Sequence, residues 1–306
     1  MTKPVIEAFF DEATHTISYL LGDPATRKAA VIDPVLDFDL ASGAADTGSA
    51  ERILAFAEEG DWQIAMVLET HAHADHLSAA PFIKARTGAW IGIGARIKDV
   101  QKIFRPVFAM EDLATDGSDF DRLFGDGERF AIGELEVRVM HVPGHTPADV
   151  AYLVADAAFV GDTLFMPDFG TARADFPGGD ARTLYRSIRR LLELPRETRL
   201  FLCHDYKAPG RDDYRWETTV GEQLRANVHA AEGMDEDGFV ALRESRDQGL
   251  AVPKLLLPSI QVNIRAGRFE EAQDNGVTYL RIPVKWTGGQ TSDPVAGEGS
   301  GQTSIE

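Results

Sequence analysis

The stretch THAHADHLSAAPFIKARTG, residues 70–88, places three of the chain's eight histidines within six residues. Its polar cluster consists of His71, His73, Asp75 and His76. The cluster directly follows the apolar run IAMVLET, which predicts a strand. It therefore falls at the carboxyl end of a strand, where open α/β sheets carry their sites. Surface residues in front of a helix would not be expected at this density, so the cluster predicts a metal site.

Three further apolar runs each end in a residue that can bind a metal. HVPGHTPADV places His145 in a turn after one predicted strand, AFVGDTLF places Asp162 after another, and LFLCHDY places His204 after a third. Singly, such a histidine is often only solvated, and an aspartate after glycine often makes a turn. A metal ion needs ligands that converge from separate strands. Together with the first cluster, these residues predict one metal centre at a sheet edge.

Short apolar runs that end in Gly, Pro or Asp alternate along the chain with stretches of helical period. Helices are predicted from Ser49 to about Gly60 and from Asp180 to Pro195. This order predicts a layered α/β protein. The strand candidates are Val5–Phe10, Thr16–Leu21, Lys28–Ile32, Ile64–Glu69, Leu135–His141, Val150–Val154, Ala157–Val160 and Arg199–Cys203.

Other stretches have weaker patterns. Val100–Asp121 has no clear period and is interpreted as an insertion or a lid. Trp216–Gly249 is helical in pattern. VPKLLLPSIQVNIRAG, residues 252–267, predicts an extended arm, and GVTYLRIPVKW, residues 276–286, predicts one more strand.

These patterns divide the chain into three parts. Residues 1–215 are expected to form the catalytic core, and residues 216–286 a C-terminal helical and extended segment that packs on it. The stretch after Trp286, TGGQTSDPVAGEGSGQTSIE, has almost nothing to bury. We therefore expect a disordered tail over residues 287–306.

Charge and composition exclude several classes of protein. The 306 residues carry a net charge of -18, from 49 acidic against 31 basic side chains. This balance argues against binding to nucleic acid and against docking on an anionic membrane. The single cysteine, Cys203, excludes an internal disulfide and a cysteine-built zinc site, and is expected to be a packed thiol. No secretory signal and no apolar run of roughly 20 residues is found, so a cytoplasmic protein is expected.

The motifs THAHADH, PGHTPADV, GDTLF and CHDY, in this order between Thr70 and Tyr206, resemble those of the metallo-β-lactamase superfamily. The resemblance implies an αββα sandwich with metal between the sheet edges. Two branches are similar to this chain. One is glyoxalase II, a dinuclear thioester hydrolase that acts on acylglutathione. The other comprises the ETHE1-like persulfide dioxygenases, mononuclear iron enzymes that oxidise glutathione persulfide to sulfite.

Flanking residues favour the dioxygenase branch. ADH at residues 74–76 matches its first motif, and the loop GTARADF follows GDTLF as it does there. TLYRSI at residues 183–188 is similar to its next helix. HDY at residues 204–206 stands where glyoxalase II typically reads His-Glu-Tyr. The stretch around residues 100–121 and the chain after about Gly267 depart from the pattern, which leaves the exact persulfide open.

The resemblance to the dioxygenases implies one Fe(II) per chain in an enzyme of sulfide detoxification. Two histidines and one carboxylate would leave positions for O2 and a sulfur substrate, as in other non-haem iron oxygenases. The implied iron ligands are His71, His145 and Asp162. The residues implied to orient these ligands and solvent are His73, Asp75, His76 and His204. The implied catalytic and substrate contacts are Arg173, which suits carboxylates of glutathione, and Tyr206.

The same residues allow a dinuclear hydrolase with zinc, iron or manganese. Metal one would then take His71, His73 and His145, and metal two Asp75, His76 and His204. Asp162 would bridge the two ions. Residue types alone leave the number of metals open.

A sulfide-responsive or metal-carrying binding protein is a non-enzymatic rival, but the complete ligand set argues against it. The resemblance also makes a homodimer plausible, although the sequence shows no interface. His15 and His229 lie outside all motifs and are expected to be structural or surface residues. The thiol that carries the persulfide is not determined by the sequence.

Overall fold

Two six-stranded sheets organise the chain, and the computed structural model describes them within residues 3–284. The strands of the first part are β1 (Val5–Asp11), β2 (Thr16–Gly22), β3 (Lys28–Ile32), β4 (Val35–Asp39), β5 (Ala44–Asp46), β6 (Gln63–Leu68), β7 (Leu77–Ser78), β8 (Trp90–Gly94) and β9 (Arg122–Phe124). Those of the second part are β10 (Arg129–Ile132), β11 (Leu135–His141), β12 (Val150–Val154), β13 (Ala157–Phe159), β14 (Arg199–Phe201) and β15 (Glu217–Thr219).

Strand order shows how the two sheets are built. The first sheet runs β1-β2-β3-β6-β8-β9. Its β3-β6, β6-β8 and β8-β9 pairs are parallel. The second sheet runs β10-β11-β12-β13-β14-β15 and is antiparallel except at β13-β14. A small sheet, β5-β4-β7, stands beside the first one.

Helices cover the outer face of each sheet. The helices are α1 (Gly48–Glu59), α2 (Ala80–Thr87), α3 (Ile97–Val107), α4 (Ala181–Leu192), α5 (Val220–Ala226), α6 (Glu236–Asp247) and α7 (Leu256–Asn263). Apolar side chains of α1, α2, α3 and α7 share one buried cluster with the first sheet. Side chains of α4, α5 and α6 share another with the second sheet. The expected αββα sandwich is confirmed.

Alternation along the strands separates the layers. On β2, Ile17, Tyr19 and Leu21 belong to the cluster between the two sheets, whereas Leu20 belongs to the cluster under the helices. Successive side chains of a strand point to opposite faces of the sheet, so an apolar strand contributes side chains to two buried clusters. This explains why the central strands read as continuous apolar runs.

The eight strand candidates are all present, each within two residues of its expected bounds. The helix expected after Asp180 is confirmed as α4, and the Asp180 side chain accepts a hydrogen bond of 2.6 Å from the Thr183 backbone. Strand β8, WIGIG, was missed because glycines interrupt its apolar pattern. A Cβ at Gly92 would lie 2.7 Å from the ring of Phe124, so side-chain packing explains the glycine.

Val100–Asp121 does not form the lid that was one interpretation of this stretch, whereas the other interpretation, an insertion, stays a prediction. Its first part lies in α3, and the turn that follows is buried through Phe108 and Met110. Ile97, Val100 and Phe104 are buried at helical spacing, but a stretch that begins at Val100 omits the first turn of the helix, and Pro106 lies near its end. Gln101 of this helix is fully buried, and its amide donates to the Ile264 carbonyl at 2.9 Å.

Two expectations for the C-terminal part are also wrong. Residues 252–267 contain helix α7 instead of an extended arm, and Pro258 is tolerated because it lies in the first helical turn. Residues 276–284 form no strand, and residues 285–286 lie outside the described part. The backbone of Arg281 instead exchanges two hydrogen bonds of 2.8 Å with the Gln261 side chain.

The expected tail over residues 287–306 lies outside the described residues. The division into a core over 1–215 and a segment over 216–286 stays a prediction, although β15 lies beyond residue 215 and completes the second sheet. None of the helices within residues 3–284 combines the length and apolarity of a membrane span.

Candidate metal centre

Four loops that leave β6, β11, β13 and β14 meet at one edge of the sandwich. The parallel pairing of β13 with β14 carries Asp162 and His204 to the same edge. The two sheets are joined there by a hydrogen bond of 3.0 Å from the Val150 N–H to the Thr70 carbonyl. The predicted convergence of ligands from separate strands is therefore present.

His71, His145 and Asp162 form the first ligand group, and their candidate ligand atoms lie within 4.8 Å of one another. Asp162 Oδ2 is 3.7 Å from His145 Nε2 and 4.0 Å from His71 Nε2. His145 Nδ1 donates to the Arg173 carbonyl at 2.8 Å, which leaves Nε2 free to bind a metal. His71 Nδ1 lies 3.0 Å from the Thr70 hydroxyl.

His73, Asp75, His76 and His204 form the second ligand group, again within 4.8 Å. His204 Nε2 lies 2.9 Å from Asp75 Oδ2 and 3.4 Å from Asp162 Oδ1, so the two groups adjoin at Asp162. His204 Nδ1 is 3.2 Å from the carbonyl of residue 15.

Asp33 organises the wall behind these groups. Its carboxylate accepts hydrogen bonds from the Thr70 N–H at 2.7 Å and hydroxyl at 2.9 Å, and lies 3.0 Å from His73 Nε2. It sits in the left-handed backbone region with φ of 49°, which is uncommon for a residue other than glycine. Cys203 is buried as expected, and its thiol donates weakly to Asp33 at 3.8 Å. This carboxylate turns His73 so that Nδ1 faces the site.

Burial and neighbouring charge shift the pKa values of the first group. Burial, with His73 and His145 nearby, holds the pKa of His71 well below its usual value. Burial raises the pKa of Asp162. It also raises the pKa of Asp149 to about 7; this carboxyl lies 3.8 Å from His71 Nδ1.

Neighbouring carboxylates raise the pKa values of two histidines in the second group. Burial alone would lower the pKa of His73, but Asp33 holds it well above its usual value. Burial would likewise lower the pKa of His204, but Asp162 and Asp75 raise it. Burial and the neighbouring His73 lower the pKa of His76 to about 4, although Asp75 opposes this shift.

Six buried ligand atoms lack a hydrogen-bond partner in the described part of the chain. They are His71 Nε2, His73 Nδ1, Asp75 Oδ1, His76 Nε2, Asp162 Oδ1 and His204 Nε2. An unsatisfied buried polar atom is costly, and native proteins rarely keep one without a reason. Imidazole and carboxylate together suit a transition metal or zinc, so the residues fit a metal centre.

A cavity of about 880 Å³ opens onto the first group and is lined by His145, Asp162 and Asp75. Arg173 and Tyr206 both stand on its wall, as expected for substrate contacts. The guanidinium fork of Arg173 is already engaged with Asp175, at 2.6 and 2.8 Å. The Tyr206 hydroxyl lies 3.4 Å from Asp75 Oδ2. Their roles toward a substrate stay predictions.

Sequence reasoning missed several residues of this region. His15 lines the cavity, although it was expected to be structural or on the surface. His229 is structural, since it is buried and accepts from the Thr171 N–H at 3.0 Å. Arg246 and Lys254 also line the cavity. A lone charged or aromatic residue outside a motif offers no signal in one sequence.

The chain belongs to the metallo-beta-lactamase superfamily, whose family model matches residues 13–204. It is 53% identical over 290 residues to a probable metallo-hydrolase of Burkholderia pseudomallei, covering 91% of this chain and 98% of that protein. It is 44% identical over 287 residues to Glyoxylase B2 of Dictyostelium discoideum, covering 93% and 98%. The fold and the His/Asp cluster thus define a metal-binding enzyme.

Among solved structures, the chain is similar to ETHE1 from Myxococcus xanthus. The TM-score is 0.70 at 31% sequence identity, and the match covers 86% of this chain and all of that one. These relatives therefore include one named a probable metallo-hydrolase, one named a glyoxylase and one named ETHE1.

Proposed function

We propose that this enzyme is a mononuclear iron dioxygenase that oxidises glutathione persulfide, or a related small persulfide, in sulfide detoxification. The reaction takes the persulfide, O2 and water to the thiol, sulfite and protons. The observation that carries the proposal is the group of His71, His145 and Asp162, of which His145 and Asp162 line the cavity. Two histidines and one carboxylate are the ligand set of non-haem iron oxygenases.

When bound, ferrous iron supplies chemistry with O2 at the positions that three protein ligands leave open. The chain itself orients the ligands, because the Arg173 carbonyl fixes the His145 ring and the Thr70 hydroxyl contacts the His71 ring. Holding two reactants side by side lowers the barrier to their reaction. No protein nucleophile is required for this chemistry.

The aromatic and basic residues that line the cavity suit a small sulfur-containing substrate. Phe165, Phe169 and Phe176 line it, and the Phe176 ring lies 5.3 Å from the His145 ring. These rings give the cavity an apolar surface that suits the sulfur end of such a substrate. Arg246 and Lys254 add positive charge at the same cavity, which suits a thiol that carries carboxylates. The similarity to ETHE1 from Myxococcus xanthus and the ADH and HDY motifs support the same branch.

A dinuclear thioester hydrolase is the second candidate, and one observation favours it. The unpartnered atoms of His73, Asp75, His76 and His204 form a second group beside Asp162. Similarity to Glyoxylase B2 of Dictyostelium points the same way.

Metal content and two assays distinguish the candidates. Protein purified without added metal is analysed for iron and zinc per chain. O2 consumption is then followed with glutathione persulfide, and hydrolysis with an acylglutathione. About one iron with persulfide-dependent O2 uptake supports the dioxygenase. About two metals per chain with thioester hydrolysis and no O2 uptake would overturn it.

A further inference from the structure

The loop that carries the first histidine cluster has little regular structure to hold it. Between β6 and β7, residues 69–76 belong to no helix or strand, yet most of them are buried. Buried backbone N–H and C=O groups need hydrogen-bond partners. The source of those partners decides how firmly the ligands are placed.

A single side chain of α7 supplies two of them and also bonds to the adjacent strand β7. Asn263, the last residue of α7, donates through Nδ2 to the carbonyls of His73 and His76, both at 2.8 Å. Its Oδ1 accepts from the Ser78 N–H at 2.9 Å. Both amide hydrogens are thus used on the loop, and only 4% of Asn263 is exposed.

The C-terminal end of helix α7 is held by a buried side chain of α3. Gln101, fully buried on α3, donates to the Ile264 carbonyl at 2.9 Å and accepts from the Gly117 N–H at 3.0 Å. The turn after α7 also approaches the loop closely, because a Cβ on Gly267 would lie 2.8 Å from the Ser78 carbonyl. The end of α7 that carries Asn263 is therefore held by a hydrogen bond from α3 and by close packing against the residues after the loop.

We propose that Asn263 is a positioning residue of the metal centre, which fixes His73 and His76 through their backbone carbonyls. Metal ligands depend on the groups that orient them, and loss of such a group typically costs about 10–100-fold in metal affinity. His73 and His76 share their loop with the candidate iron ligand His71, so a displaced loop disturbs the first group as well as the second. The proposal therefore holds for either reaction considered above.

Gln261 offers a matched control on the same helix. It is 3% exposed, donates to the Leu257 and Arg281 carbonyls at 2.7 and 2.8 Å, and accepts from the Arg281 N–H at 2.8 Å. It therefore makes the same pattern of bonds away from the metal centre. Asn263→Asp and Gln261→Glu each remove two donations and keep one acceptance, whereas Asn263→Leu and Gln261→Met remove all three hydrogen bonds without adding charge.

The experiment loads each full-length variant with Co(II) and measures metal loss to a chelator, the visible Co(II) spectrum and the unfolding midpoint. Both Asn263 variants should bind Co(II) about 10–100-fold more weakly with an altered spectrum. The Gln261 variants should keep wild-type metal affinity at a similar loss of midpoint. Equal metal affinity across all four variants would overturn the proposal. Asn263 variants that fail to fold even with excess Co(II) would also overturn it, in favour of a general packing role.

Discussion

The two ligand groups of the metal centre differ in what stands behind them. The first group is backed by neutral atoms: the Thr70 hydroxyl behind His71 and the Arg173 carbonyl behind His145. A third neighbour, Asp149, has its pKa raised to about 7 by burial. The first group is therefore backed by little fixed negative charge.

The second group faces carboxylates that attract protons. Asp33 raises the pKa of His73, and Asp75 together with Asp162 raises that of His204. Burial would raise the pKa of Asp75, but His204 holds it well below its usual value. These pairs favour protonated histidines beside ionised carboxylates.

The difference bears on which group binds a metal first. A histidine must lose its proton before it can bind a metal ion. His71, with a lowered pKa, meets this condition at neutral pH, whereas His73 and His204 must each release a proton. We therefore expect the first group to fill before the second, and the following predictions test this order.

The largest effect is expected from removing a ligand of the first group. His145→Ala should lose bound iron and lower persulfide-dependent O2 uptake by about a thousand-fold or more. Metal ions stabilise transition states by several kcal/mol, and each 1.36 kcal/mol is tenfold in rate. Iron content and initial rates measure the outcome, with the far-UV spectrum checking the fold. Wild-type iron content in this variant would contradict the assignment of the first group.

The second-largest effect is expected from Asp149→Asn, which replaces the carboxyl beside His71 by a neutral amide. Because the pKa of Asp149 rises from 3.8 to about 7 on folding, its contribution to stability is fully present below pH 4 and is lost as the pH rises to 7. Asp149→Asn stays neutral. From pH 5 to pH 8 the free energy of unfolding of the variant should therefore gain about 2–3 kcal/mol relative to wild type.

Urea unfolding of chelator-treated protein at several pH values measures this difference. Other titrating groups are shared by the two proteins, so their contributions cancel to first order. A constant difference between variant and wild type across this range would show that the Asp149 carboxyl ionises normally.

Most of the ligand set could be predicted from the sequence, because its spacing is local. His71, His73, Asp75 and His76 lie within one loop, and each remaining ligand lies a few residues after an apolar strand of its own. Eight of the twelve strands in the two large sheets were predictable for the same reason, whereas β8, β9, β10 and β15 were not. The central ones bury both faces and so read as unbroken apolar runs.

The supports of the site could not be predicted, because their partners are distant in sequence. Asn263 bonds to backbone atoms 185 to 190 residues earlier. Asp33 faces His73 across 40 residues and occupies a backbone region that its residue type does not announce. Gln101 is a polar residue in the core, and it donates to the Ile264 carbonyl 163 residues later. These features arise from tertiary packing, which no local period records.

A smaller effect is expected from the second group. His76→Ala should keep bound iron and lower O2 uptake by about 10–100-fold, the usual cost of losing a group that orients metal ligands. The measurement is the same as for His145→Ala, so the two variants serve as each other's control. If His76→Ala instead loses half of the bound metal and all turnover, both groups bind metal and the dinuclear hydrolase is favoured.

The smallest effect is expected at Cys203, which lies beside both groups. Its thiol is within 4.8 Å of candidate ligand atoms of Asp162 and His204, but burial raises its pKa and so opposes the thiolate that would bind a metal. Cys203→Ala should therefore leave metal content unchanged. It should lower the free energy of unfolding by only about 1 kcal/mol, the cost of one small apolar group. Titration with iron and urea unfolding measure the two quantities. A fall in metal content at unchanged stability would make the thiol a ligand and assign metal binding to the second group as well.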